Sequence, residues 1–271
     1  MIRPIRAIAI DAHIDASPAD VWHALTDAKA LADWFAPFVN AGEGVGGIVE
    51  LSWDGENMWP VTIEVWNPGQ HLRQASDGPP EPDGTPGPRL LVDWFISTEA
   101  GQTVLRLVHS GFGAGAEWDD QIDSLTGGWR YFLWNLEICL TRHRGVHRVL
   151  VSARPRIAMQ RDAFWNALFS TGFISVDDTS TSPKTCTITL GDRSLDAVVE
   201  MNDPLARFAA RIPGLADATL FIEVEGKKQT DFHTGFWLST YGLPAETVAE
   251  LQRSLDAVVA RVTEPAAAAA L

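Results

Sequence analysis

The polar residue best placed to do chemistry in this 271-residue chain is His109. It closes an alternating run, Thr103–His109, in which Leu105, Leu107 and His109 share one face of a strand and Val104, Arg106 and Val108 the other. An imidazole on an apolar face has two readings. It is a core residue hydrogen-bonded to backbone near Trp118, or it is the polar anchor of an apolar pocket, orienting a ligand or exchanging a proton. Ser110 comes next in sequence and therefore points to the opposite face, so a Ser–His nucleophile pair is not expected. The sequence shows no paired inward carboxylates, and no base is evident for either cysteine, Cys139 or Cys186. No catalytic constellation emerges.

Two other patterns invite chemistry and are set aside by their context. Cys139, His143 and His147 are four apart, which on one continuous helix would align three metal-capable side chains. Gly145 is expected to end that helix, Arg142, Arg144 and Arg148 surround the cluster, and no fourth ligand is evident, so no metal is expected. Gly111-Phe112-Gly113-Ala114-Gly115-Ala116 fits the G-x-G-x-x-A fingerprint of dinucleotide sites. Its flanking strands read as antiparallel, Glu117 and Asp119 would face a pyrophosphate, and no βαβ unit follows. Gly42, Gly44, Gly46 and Gly47 precede a strand. Both groups are read as turn glycines, and no cofactor is expected.

Tryptophan is the compositional outlier, with 11 residues against 2 tyrosines, and a large apolar ring with one N–H suits a cavity wall. The expected ligand-binding residues are Trp34, Phe35, Trp59, Trp94, Leu107, His109, Trp118, Trp129 and Leu133. Plain core packing is the alternative for all of them.

The element that must position these residues is a long helix after the glycine run. Trp129, Phe132, Leu133, Leu136 and Leu140 fall on one stripe of it. Tyr131, Trp134 and Ile138 lie on the other side, so a second cover is expected there, from the rest of the chain or from a homodimer partner. Upstream, Ile8, Ile10, Ala12 and Ile14 alternate as an opening strand. Ser17-Pro18-Ala19-Asp20 announces a helix whose inner face is Val21, Trp22 and Leu25, and a second short helix is expected over Ala30–Phe35. Strands are expected at Ile48–Trp53, ending in the hairpin signal Asp54-Gly55, and at Trp59–Trp66, with Trp59, Val61, Ile63 and Val65 on one face. Leu72–Ala75 and Leu90–Ser97 follow, separated by the Pro/Gly-rich stretch 76–89, a loop or a lid. Strand, two helices, antiparallel strands and a final helix make an α+β arrangement, a curved sheet wrapped around the helix with a hydrophobic cavity between them.

The segments Ala16–Phe35 and Leu107–Leu136 resemble the START-like, Bet v 1-like superfamily, in its activator-of-Hsp-90-ATPase-like (SRPBCC) branch. The resemblance is carried by Trp22 and Asp27, Asp33-Trp34-Phe35, His109-Ser110-Gly111-Phe112, Glu117-Trp118-Asp119 and Gly128-Trp129. It implies a helix-grip fold and a cavity between sheet and C-terminal helix. It implies no common chemistry, since members include lipid carriers, cyclases and co-chaperones.

The landmarks recur downstream. Arg142 to Arg161 reads as a basic, solvated connector, with an anion or partner site as the alternative; beyond it Gln160–Ser170 echoes the first helix and His233-Thr234-Gly235-Phe236 echoes His109–Phe112. Thr185–Leu190, Leu195–Met201 and Thr219–Glu225 read as strands, Pro244–Val262 as a closing helix, and residues 203–214 are unassigned. A helix-grip domain over 1–145, a degenerate second copy over 146–264 and a frayed tail over 265–271 are expected.

A net charge of −14 disfavours nucleic acid and anionic lipid partners. Two cysteines, no leader-like start and no long apolar run point to a cytoplasmic protein without a membrane partner. The functional expectation is binding of a small hydrophobic or aromatic ligand in the N-terminal cavity. The rivals are a cavity enzyme (cyclase, dehydratase or hydrolase) using His109, and, from the resemblance, a chaperone partner met through the outer surface.

Overall fold

The computed structural model describes residues 6–78, 85, 87–113, 115, 118–176 and 183–264. The chain divides into two compact units, Met1–His147 and Arg148–Leu271. The expected tail, 265–271, lies outside the described residues, as does most of the proline-rich core of the expected lid (79–84 and 86).

The first unit runs β1 (Arg6–Ile14), α1 (Pro18–Thr26), α2 (Ala28–Ala32), β2 (Phe38–Ala41), β3 (Ile48–Ser52), β4 (Trp59–Asn67), β5 (His71–Asp77), β6 (Arg89–Glu99), β7 (Gln102–Phe112) and α3 (Asp119–Arg142). Its seven strands form one antiparallel sheet in the order β1-β7-β6-β5-β4-β3-β2. The first strand therefore pairs with the last, and α1 and α2 carry the chain from one sheet edge to the other. Local chemistry fixes both helix starts. Ser17 Oγ accepts from the Asp20 amide at 3.1 Å while the Asp20 carboxylate accepts from the Ser17 amide at 3.3 Å, a closed capping box with Pro18 in the first turn. Asp27 accepts from the amides of Lys29 and Ala30 at 3.0 and 2.9 Å, which starts α2 two residues earlier than expected and leaves Trp34 and Phe35 in the turn after it.

The α3 helix, 24 residues, lies in the concave face of this sheet: Trp129, Leu133, Leu136 and Leu140 share one buried core with Ile8, Ile63, Leu72, Trp94, Leu105 and Leu107. This is the helix-grip arrangement, with Phe132 half-buried at the border of the stripe. On the other side of α3, Tyr131 and Ile138 are buried as well.

Two irregularities redirect side chains. Gly111, expected in a turn, is the extra residue of a bulge inside β7. Its φ is +96°, and the pairing with β1 steps from Ala7↔Ser110 to Arg6↔Phe112 across it. His109 and Phe112 consequently both face inward. In β4 the register shifts between Ile63 and Val65, so Trp66 pairs with the buried Leu72 and joins the core, whereas Val65 pairs with Arg73. The single face expected for Trp59, Val61, Ile63 and Val65 is broken at that bulge. The β3–β4 connection is a hairpin, but a longer one than Asp54-Gly55 alone would form. The Asp54 carboxylate accepts from the amides of Glu56 and Asn57 at 2.9 and 2.8 Å, bonds that hold its pKa well below the usual carboxylate range.

The second unit runs β8 (Arg148–Ala153), β9 (Arg156–Ile157), α4 (Arg161–Ser170), β10 (Ile174–Val176), β11 (Thr185–Leu190), β12 (Arg193–Asp203), β13 (Arg207–Ile212), β14 (Ala218–Val224), β15 (Phe232–Tyr241) and α5 (Ala245–Thr263). Its main sheet, β10-β11-β12-β13-β14-β15-β8, again pairs first strand with last, and α5 buries Leu251, Leu255, Val258 and Val262. It is a second, shortened helix-grip fold with one helix where the first has two. The basic stretch is no connector: residues 148–153 are its first strand, paired with β15. Arg154 and Arg156 pair with Glu225 and Asp231, and the buried Arg161 donates to the carbonyls of Leu205, Glu225, Gly226 and Lys228. The unassigned 203–214 stretch holds β13. Among the described residues no helix is long and apolar enough to cross a membrane.

Candidate functional site

His109 sits on β7 opposite Ile8 of β1 and Val92 of β6, and only 6% of it is exposed. Trp129, on the inner stripe of α3, donates its indole N–H to His109 Nδ1 at 3.0 Å. An indole can only donate, so Nδ1 must be the bare, accepting nitrogen and the proton of the neutral ring sits on Nε2. Burial lowers the His109 pKa to about 4, so the ring is neutral at physiological pH. Among the described residues, Nε2 has no hydrogen-bond partner. The side chain therefore presents an unused N–H donor that is not itself sealed from access.

Around this donor runs a continuous aromatic wall. Phe112 lies 4.7 Å from the imidazole, centroid to centroid, and Trp118 lies 5.9 Å beyond Phe112. In the other direction Trp129 stacks on Phe35 at 5.6 Å and 11°, and meets Trp94 edge-on at 5.5 Å. Phe35 in turn touches Phe132 at 4.6 Å and Trp53 at 5.5 Å. Such edge and offset geometries are those that aromatic quadrupoles favour. The run depends on the backbone: a Cβ on Gly113 would fall 2.2 Å from Trp118 Nε1, so only glycine lets that indole lie against the strand end.

Eight of the nine expected residues are buried in this core: Trp34, Phe35, Trp94, Leu107, His109, Trp118, Trp129 and Leu133. Trp34 is held from both sides, its indole donating to the Ala24 carbonyl at 2.9 Å and its own carbonyl accepting from Asn135 Nδ2 at 2.7 Å. The structure does not bring Trp59 to them. It pairs with Leu51 at the start of β4 and is 50% exposed.

One residue that sequence reading passed over joins the site. Gln74 of β5 pairs with Val92, which pairs with His109, so the three share the inward face in one cross-strand row. Trp94 Nε1 donates to Gln74 Oε1 at 3.2 Å. The alternation Leu72, Gln74 on a strand beginning with a buried Leu was the available signal. The outer face of the same strands carries a separate polar knot, in which Asp93 accepts from Arg73 Nε at 2.8 Å and lies 2.6 Å from His71 Nε2.

The rejected patterns are resolved by geometry. His143 is the residue after α3, its amide bonded to the Cys139 carbonyl at 3.0 Å, and His147 lies beyond a turn at Gly145, 3.0 Å from Asp33. The three potential ligands therefore do not line one helix face. Gly111 lies between antiparallel neighbours, β1 and β6, unlike a dinucleotide-binding turn, while Ala114, Ala116 and Glu117 lie outside the described residues. Gly42–Gly47 connect β2 to β3, with Gly44 and Gly46 at φ +73° and +86°.

The family described as activator of Hsp90 ATPase homolog 1-like protein matches residues 15–141, nearly all of the first unit. Over those residues the N-terminal unit is similar to this family. No curated protein matches the chain in sequence. Among solved structures, the Aha1 dimer from Colwellia psychrerythraea is similar at 21% identity and TM-score 0.44, over 52% of this chain and 99% of that one. DynU16, a protein of the dynemicin biosynthetic locus, is similar at 15% identity and TM-score 0.43, over 95% of this chain and 96% of that one. The di-domain ARO/CYC BexL from the BE-7585A biosynthetic pathway is similar at 14% identity and TM-score 0.42, over 95% and 96%.

The inward histidine of this activator-of-Hsp90-ATPase-like unit is not repeated in the second fold, where the inward polar group is a threonine whose hydroxyl is buried without a hydrogen-bond partner. There the matching His233 is exposed and Thr234 faces inward instead, between Phe232 and Phe236. Gly235 has no positive φ, so β15 lacks the bulge that turns both His109 and Phe112 into the core.

Proposed function

We propose that the N-terminal unit binds one small hydrophobic or aromatic molecule between its sheet and α3, and that the second unit supports it structurally. The observation that carries this reading is the Trp129–His109 hydrogen bond, which leaves a buried imidazole with one unpartnered N–H amid aromatic side chains. A ligand seated against these rings would cover that donor, and covering it favours a ligand that accepts from it. Apolar area buried by a ligand against these rings would contribute ~25 cal/mol per Å², with no ion pair needed.

The same geometry favours binding over proton transfer. The basic nitrogen is occupied by Trp129, and the other already carries its proton, so His109 is poorly set as a general base at neutral pH. Titration of the intact protein with fluorene, followed by tryptophan fluorescence, tests the reading. Saturable one-to-one quenching supports it; a linear, unsaturable response opposes it.

A further inference from the structure

The two indoles that meet edge-on at 5.5 Å, Trp94 and Trp129, each hold a neutral polar side chain of the inner face. Trp129 donates to His109 Nδ1 and Trp94 to Gln74 Oε1. Because an indole N–H cannot accept, each bond uses up the acceptor of its partner and turns the donor away from itself. His109 is left with Nε2–H and Gln74 with its amide N–H₂, and neither has a partner among the described residues. The two stand in one row of the sheet with Val92 between them, two strand spacings or about 10 Å apart at the backbone. The residues that pair with or touch them inside the sheet, Ile8, Ile63, Val92 and Phe112, carry no charge.

From this we infer that the ligand is a neutral aromatic ketone or quinone, selected by a donor pair, His109 and Gln74, that Trp129 and Trp94 orient. The inference rests on the ligand-binding reading above and adds the chemical class. A carbonyl oxygen accepts from an N–H without needing a counter-charge. A carboxylate would be covered with no cation to meet it, and an ammonium, which cannot accept, would face two donors. A hydrocarbon of the same shape would leave both donors unmatched, the asymmetry by which polar sites discriminate. Trp94 and Trp129 are thus positioning residues: they set which atom of each polar side chain is presented.

The experiment compares fluorene, 9-fluorenone and anthraquinone on the intact protein, with wild type and three variants. Fluorenone is expected to bind wild type about tenfold more tightly than fluorene, and anthraquinone at least as tightly as fluorenone. His109→Met and Gln74→Met keep a weak sulfur acceptor for the indole but remove the donor, and each is expected to shrink the preference for ketone. His109→Gln restores an acceptor and a donor together and is expected to recover it. A long-range proton–nitrogen spectrum of the wild-type imidazole, which needs no variant, must show the proton on Nε2. Equal affinity for hydrocarbon and ketone, or a proton on Nδ1, overturns the donor-pair inference and leaves ligand binding standing. Failure of all three compounds to bind overturns both.

Discussion

A Cβ placed on Gly111 would lie 2.1 Å from the carbonyl oxygen of Arg89, on the neighbouring strand. Its φ of +96° is equally closed to other residues. Gly111→Ala should therefore cost about 1–3 kcal/mol and turn Phe112 away from His109. Urea unfolding of the N-terminal unit reads the cost, and an unchanged midpoint would show that the bulge is not required.

Asn135 is fully buried on α3 and donates to the Trp34 carbonyl at 2.7 Å. Asn135→Leu removes the donor and leaves a buried carbonyl short of one partner, a loss of about 1–3 kcal/mol. The same unfolding experiment checks it, with loosening of the Trp34–Phe35 turn visible in near-ultraviolet circular dichroism.

The buried His109 also sets a pH dependence. Above its ordinary pKa of 6.5 the ring is neutral folded and unfolded, so it contributes nothing to the slope. Between 6.5 and about 4 only the unfolded chain takes the proton, so stability falls as pH falls through that window. Below it both states are protonated and the loss levels off near about 3 kcal/mol. Unfolding free energies measured across this range should fall less steeply in His109→Phe than in wild type; parallel curves would contradict the assignment.

Both cysteines are buried, and burial pushes the Cys186 thiol up to about 11. A disulfide reagent at mildly alkaline pH should thus titrate neither quickly until denaturant is added. Rapid modification of the native protein would argue against the packing described for either core.

Much of this fold is written in local signals. Ser17, Pro18 and Asp20 mark the start of α1 by hydrogen bonds that span three residues, and the alternation of Ile8 to Ile14 and the stripe from Trp129 to Leu140 survive into the structure because each repeats a single period. What escaped reading depends on partners far along the chain. The bulges at Gly111 and beyond Ile63 change which face a side chain takes, and only the neighbouring strand shows them. The β13 strand, Arg207–Ile212, is buried on both faces with two alanines at its centre, so it shows no alternation. Arginines that read as a solvated joint are instead neutralised by acids some seventy residues away. At the site, His109 was legible because its neighbours alternate cleanly. Gln74 was not, because what it does depends on Trp94 across the sheet. Trp59, by type a wall residue, sits where its strand begins and stays half-exposed.

The central claim is that an apolar aromatic molecule lodges against Trp129 and Trp94 beside His109. Protein labelled with nitrogen-15 only at the tryptophan indoles reports on it directly, because each Nε1–H is a separate probe. On titration with 9-fluorenone the account predicts saturable shifts of the Trp94 and Trp129 resonances, with Trp165 and Trp237 of the second unit unmoved. Shifts confined to exposed Trp59, or no shifts at any concentration, would contradict it.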